Sequence, residues 1–176
     1  MPDLARARQR RPETASILDH VSEDSISIRP ATAPDQNGIS RLIREARLNP
    51  RDLDWRRFVV ADADGTLIGC VQIRVHARGT RELASVAVTP DGRGTGIGGR
   101  LVESILAQEP GVVYLMTRRE TAGYFERFGF RQIDAADAPP DFRRQYRIGQ
   151  AITTVVSPLA RRWIRIVPMR RESAPS

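Results

Sequence analysis

Residues 57–90 read RFVVADADGTLIGCVQIRVHARGTRELASVAVTP, three apolar runs separated by two short turns. Asp64-Gly65 is a hairpin signal, because both central positions of a two-residue hairpin turn take φ > 0. Ala77-Arg78-Gly79 is a second, looser turn. Strands joined by such short turns are antiparallel neighbours, since a parallel pair needs a much longer crossover. This stretch therefore commits the chain to an antiparallel meander. The meander runs into TPDGRGTGIGGRLVESIL, residues 89–106. That segment is a glycine-rich loop opening a helix, with Leu101, Val102, Ile105 and Leu106 on one side.

The loop contains a literal G-x-G-x-x-G at Gly94, Gly96 and Gly99, the string of a dinucleotide-binding turn. A Rossmann unit places that string after the first strand of a parallel sheet, with an acid about 20 residues on. Here an antiparallel meander precedes it. The next apolar run ends in Met116-Thr117-Arg118-Arg119, without an acid. Only about 60 residues remain, too few for the rest of a doubly wound sheet. An arginine at that strand end would suit a 2′-phosphate, which leaves an NADP oxidoreductase as an alternative. Both readings share one physical content. Glycines let backbone N–H groups approach a phosphate, and a helix N-terminus adds partial positive charge. The loop thus says diphosphate more firmly than dinucleotide.

The rest of the chain arranges itself around this unit. Residues 1–25 are polar and basic without periodicity and are expected to form a flexible tail, with the domain at 26–170 and a second tail at 171–176. SISIRPAT, residues 25–32, alternates like a strand. DQNGISRLIREARL places Ile39, Leu42, Ile43 and Ala46 at helical spacing, with Asp35 as the expected N-cap. NPRDLDW is a short polar connection. GVVYLMT is a strand covered on both faces, and TAGYFERFGF a helix ended by Gly129. FRQID is a strand, APPDFRRQYRIGQAITTVV a helix started by proline and aspartate, and RWIRIVP a last strand. The fold class expected is α/β, with a mostly antiparallel sheet.

Composition narrows the function. No apolar run reaches the ~18 residues of a membrane span, and no secretory h-region comes after the basic start. The single cysteine, Cys70, lies in LIGCVQI and reads as a buried strand thiol. A cytoplasmic location and no membrane partner are expected. Net charge is +7, and all 28 basic residues are arginine. They are spread from Arg6 to Arg171 rather than gathered in a stripe, so no nucleic-acid partner is expected. Guanidinium groups still favour small anionic ligands.

Two motifs resemble the GNAT superfamily of acyl-CoA-dependent N-acetyltransferases. A strand ends in Val88-Thr89-Pro90 and is followed by Arg93-Gly94-Thr95-Gly96-Ile97-Gly98, similar to the family's V-x-P and R/Q-x-x-G-x-G/A. Phe125-Glu126-Arg127-Phe128-Gly129-Phe130 is similar to its aromatic-E-K/R-x-G-F run. IRPAT and FVVADADGTLIGCVQI look like the family's first strand and hairpin, so the resemblance covers residues 26 to about 135. It implies acetyl-CoA as cosubstrate, with no metal. Main-chain N–H groups of Arg93, Gly94, Thr95, Gly96, Ile97, Gly98 and Gly99 would hold the pyrophosphate. The pantetheine arm would lie along Val86, Ala87 and Val88, where two strands splay apart. Phe125 would pack against that arm.

Acetyl transfer to an amine needs a base for the ammonium proton, donors for the developing oxyanion and a route for the thiolate to leave. The resemblance makes Glu82 the expected base, six residues before Val88 and on a face that alternation shares with Ala84, Val86 and Val88. His76 is the second candidate. Many members of the family carry a tyrosine acid where this chain has Phe125, and a phenyl ring donates no proton. Tyr124 beside it points about 100° round the helix. The expected reaction transfers acetyl to a primary amine of a small molecule, an amino acid among the candidates. A non-catalytic acyl-CoA-binding domain and a protein or peptide N-acetyltransferase are the alternatives. The expected assembly is a monomer or a homodimer.

Overall fold

The computed structural model describes residues 26–159 and 165–172, so the expected tail at 1–25 falls outside it. A seven-stranded sheet runs in the order β1-β2-β3-β4-β5-β7-β6. Its strands are β1 (Ile26–Pro30), β2 (Phe58–Ala63), β3 (Thr66–Val75), β4 (Arg81–Val88), β5 (Val113–Arg118), β6 (Arg131–Gln132) and β7 (Ile166–Arg171). The helices are α1 (Gln36–Glu45), α2 (Ile97–Leu106), α3 (Ala122–Glu126) and α4 (Pro140–Leu159). Every ladder is antiparallel except β4 with β5. The class is mixed α/β, as the sequence implies.

The meander forms where its turns require it. Asp64 and Gly65 take φ +48° and +83°, and Gly79 takes +85°. Two expectations change. Of the expected last strand RWIRIVP, residues 162–164 lie outside the described residues; the described strand is Ile166–Arg171, so Arg171, expected in a tail, pairs with Val113. It also inserts between β5 and β6, which are nearer in sequence.

Two layers of helix cover the sheet. On one face α2 and α3 pack Ile97, Leu101, Val102, Ile105 and Phe125 against Val59, Val71, Leu83 and Leu115. On the other, α1 sets Ile39, Leu42 and Ile43 against Phe58, Val60 and Cys70, and α4 sets Phe142 against Tyr114. Cys70 is the buried thiol expected, and burial pushes its pKa up to about 12. Among the described residues no helix is long and apolar enough to cross a membrane.

Asp35 stands at the N-cap position of α1, but its carboxylate does not cap that helix. It accepts from the Thr32 backbone N–H at 2.7 Å and from Arg29 at 2.8 and 3.1 Å. The Arg29 hydrogen bonds hold its pKa down at about 2, against an ordinary 3.8. A carboxyl lowered on folding stabilises the fold above its unfolded pKa and loses that contribution as pH falls through the folded value. Asp35→Asn is therefore expected to cost about 1–2 kcal/mol at neutral pH, after allowance for the part-exposed Arg29. The difference from the parent protein should shrink between about pH 4 and pH 2. Urea unfolding across that range measures it, and a pH-independent difference would remove the ion pair from the account.

Candidate active site

The candidate site lies where β4 and β5 part. Their parallel ladder spans only Arg81↔Val113, Glu82↔Tyr114 and Leu83↔Leu115. Beyond it Ala84–Val88 stays with β3, while Met116–Arg118 turns with β7. A bulge marks the divergence: Cys70 faces Ala87 and Gln72 faces Ala84, so Ser85 and Val86 oppose the single residue Val71. Ser85 takes φ +57° there, a left-handed conformation that costs a non-glycine residue about 1 kcal/mol or more. Among the described residues the β5-facing edge of Val86, Ala87 and Val88 is consequently unpaired.

The bulge also corrects the face assignment. Glu82 lies on the α4 side with Arg74 and Tyr114, but the extra residue shifts the alternation by one. Val86 and Val88 therefore pack into the α2 core, and Ala87 joins the α1 core. Glu82 does not share a face with Val86 and Val88.

Past Val88 the loop turns back into α2. Gly94 and Gly96 take φ +82° and +85°, and a Cβ on either would meet nothing within 4 Å. Gly92 is closed in: a Cβ there would sit 2.8 Å from Val88. Among the described residues the backbone N–H groups of Gly94, Thr95, Gly96, Ile97 and Gly98 find no acceptor. Those of Arg93 and Gly99, also expected in the cradle, are spent on Pro90 O at 3.2 Å and Gly96 O at 2.9 Å. The N–H groups without acceptors thus run from Gly94 to Gly98, at the positive end of a ten-residue helix.

Helix α3 presents an unexpected side chain to this cradle. Phe125, the expected partner of the pantetheine arm, is 7% exposed in the core with Phe130 against its ring. Tyr124 is the ring that faces α2, its hydroxyl 3.0 Å from where a Cβ on Gly98 would stand. The Arg127 guanidinium lies over the Tyr124 ring at 4.1 Å and reaches the first turn of α2 beside Gly99. A five-residue helix is too short for periodicity to fix which face turns inward.

On the opposite face Glu82 is buried. Its Oε2 lies 2.8 Å from His76 Nε2 and 3.4 Å from Arg74 Nη1. Oε1 has no hydrogen-bond partner among the described residues. His76, expected half-exposed, has a side chain only 5% exposed, edge-on to Phe142. The Asp141 carboxylate holds this corner by accepting from Arg78 N at 2.9 Å and Thr80 Oγ1 at 2.7 Å. Burial alone would raise the Asp141 pKa, but those hydrogen bonds outweigh it and lower it. Among the described residues β4 thus carries, before the bulge, a buried carboxylate with one oxygen held and one unengaged, and beyond it an open strand edge that leads to a loop of N–H groups without acceptors. Neither Gln72 nor Arg74, which line the face beside Glu82, carries a sequence signal.

The Acetyltransferase (GNAT) domain family matches residues 54–132. An amino-acid acetyltransferase of Ralstonia nicotianae is 33% identical over 135 residues, covering 68% of this chain and 29% of the relative. The chain thus spans about a third of the length of such relatives. N-acetylglutamate synthase from Neisseria gonorrhoeae, solved with coenzyme A and N-acetyl-glutamate, superposes with a TM-score of 0.68 at 22% identity, covering 85% of this chain and 35% of that one. A Mycobacterium tuberculosis protein solved with CoA superposes at 0.63 with 25% identity, covering 84% of this chain and 99% of that one.

Proposed function

Because the chain carries a GNAT acetyltransferase domain and has that fold, we propose that it is an acetyl-CoA-dependent N-acetyltransferase acting on a primary amine of a small molecule. The observation that carries this reading is the continuity of two unused hydrogen-bonding surfaces. The N–H cradle at Gly94–Gly98 leads directly onto the unpaired edge at Val86–Val88. A diphosphate fits the first, and an extended amide-bearing arm fits the second as an added strand. The open space beside Gly94 and Gly96 agrees with a ligand close to the backbone. Acetyl-CoA, when bound, supplies the acetyl group as a thioester.

The chain's own groups then do three things. The backbone N–H groups of the loop hold the diphosphate. Glu82 Oε1 takes the ammonium proton, directly or through water, while His76 and Arg74 hold the other oxygen. The neutral amine attacks the acetyl carbonyl carbon: the C–N bond forms, the C–S bond breaks, and the sulfur leaves with the electron pair and takes up the second amine proton, giving the amide and the CoA thiol. No side-chain nucleophile is needed. The buried Cys70, its thiol held protonated, is unsuited to be one. The amino-acid acetyltransferase relative supports an amino acid as the amine.

Thermal shift with acetyl-CoA, CoA and NADPH tests the coenzyme. Acetyl-CoA and CoA are expected to raise Tm by several degrees at ligand concentrations well above Kd, and NADPH is expected to leave it unchanged. Stabilisation by NADPH alone would overturn the reading.

A further inference from the structure

At the sheet edge farthest from β1, a cleft of about 630 Å³ opens between the turn after α3, strand β6 and the end of β7. A volume of that size suits a small molecule. Three arginines, Arg131, Arg170 and Arg171, line it against a single carboxylate, Glu172. Arg131 and Arg170 are partners across the β6–β7 ladder, which sets their side chains next to each other on one face. In the same row Arg170 is the partner of Tyr114, and Tyr114 is the partner of Glu82. Neighbouring strands lie about 4.8 Å apart, so the Arg170 backbone is about 10 Å from that of Glu82. The cleft and the Glu82 carboxylate are therefore separate places.

The charges around the cleft are poorly matched. Like charges directly opposite on a ladder cost stability, and among the described residues Arg131 makes no hydrogen bond or ion pair that would offset this. Arg170 Nη2 lies 2.9 Å from Glu172, a carboxylate 67% exposed, while Arg170 Nε is buried without a partner. Arg171 Nε donates to Phe128 O at 3.1 Å. Its Nη1 is buried without a partner, and no carboxylate pairs with it among the described residues. Buried donors without acceptors also cost stability, so native proteins keep few of them. An oxyanion in the cleft offsets both costs. The lining carries two positive charges in excess, which a phosphate monoester balances and a single carboxylate does not. Guanidinium groups fork onto phosphate oxygens. The cleft is larger than a bare phosphate fills, which leaves room for an organic group on it.

We infer that this cleft is a second anion site, which binds a small phosphate-bearing molecule with its phosphate between Arg131 and Arg170. Arg171 adds charge from the side of Phe128. The phosphate takes the place of Glu172 on Arg170. The site is distinct from the Gly94–Gly98 N–H groups, and it does not depend on the acetyl-transfer reading.

The test is isothermal titration of the full chain with inorganic pyrophosphate at low salt, first alone and then with the protein saturated with CoA. Pyrophosphate is expected to bind the CoA-saturated protein, and to bind more weakly as salt rises. Arg131→Met and Arg170→Met should each weaken it about tenfold or more. Glu172→Gln should tighten it severalfold by removing the competing carboxylate. Circular dichroism checks the fold of each variant. Glu172 is exposed, so its variant still decides the matter where an arginine variant fails to fold. A phosphate that comes from the 3′ position of the coenzyme itself gives a different pattern. CoA then closes the cleft to pyrophosphate, and the arginine variants weaken CoA but not dephospho-CoA. Pyrophosphate binding that none of the three variants alters, with CoA and dephospho-CoA bound as in the parent protein, overturns the inference. So does the absence of pyrophosphate binding in the protein without CoA. A parent protein that binds pyrophosphate but not CoA removes the coenzyme reading alone, and the same variants still locate the pyrophosphate.

Discussion

Replacing Glu82 by glutamine is expected to lower turnover about 10²–10⁴-fold while leaving acetyl-CoA affinity within a factor of about two. The amide keeps the size of the side chain and can still meet Arg74 and His76 at the Oε2 position, 3.4 and 2.8 Å away. It cannot accept a proton. The coenzyme would be held by backbone groups of Gly94–Gly98 on the far side of the bulge, so its binding has no reason to change. Rate should recover partly as pH rises, because more of the acceptor amine is then already neutral. The expected signature is a lowered kcat that climbs with pH, against an unchanged KM for acetyl-CoA. Turnover equal to the parent protein at neutral pH would remove Glu82 from the reaction. His76 is then the nearest alternative, although its side chain is 5% exposed.

Gly96→Asp is the second change with a large expected effect. Gly96 takes φ +85° and a Cβ there would point into open space, so the substitution meets no steric clash. It brings a negative charge and a left-handed strain of about 1 kcal/mol to the helix N-terminus, where the diphosphate is to sit. Coenzyme affinity should fall at least about 10²-fold, as like charges a few ångströms apart in a partly desolvated cradle repel by several kcal/mol. Gly96→Asn carries the same backbone strain without the charge. It should lose far less, which separates repulsion from distortion. Isothermal titration with CoA reads both variants, and circular dichroism checks that each is folded. Unchanged affinity in Gly96→Asp would take the loop out of the site.

Much of this architecture is legible in the sequence because its determinants are local. Asp64-Gly65 and Gly79 set the turns, and the glycines of the loop set the entry to α2. The features that escaped depend on distant pairing or absolute phase. Nothing in Ile166–Arg171 says that it lies between β5 and β6, since a strand's neighbours are chosen by the whole sheet. Ser85 is not a residue that announces a positive φ, yet its bulge turns Val86 and Val88 away from the face of Glu82. In α3 the order Tyr124-Phe125 is plain, but which ring enters the core is decided by packing against Phe130. The partnership of His76 with Glu82 crosses a hairpin whose exact register no pattern supplied. Gln72 and Arg74 looked like ordinary strand residues. Only the hydrogen-bond inventory of the folded chain sets them apart.

The central claim is that β4 and the loop after it, with Glu82 before the bulge and the Val86–Val88 edge and Gly94–Gly98 N–H groups beyond it, move an acetyl group from a thioester to an amine. The most direct measurement is the release of CoA thiol when the full chain is mixed with acetyl-CoA and a panel of free amino acids, with the products identified by mass spectrometry. The account predicts thiol release that depends on the amino acid, in stoichiometric balance with its N-acetyl derivative, and strongly reduced in Glu82→Gln. Tight binding of acetyl-CoA with no acetylated product from any amine would contradict it, and would make the chain a coenzyme-binding module rather than a transferase.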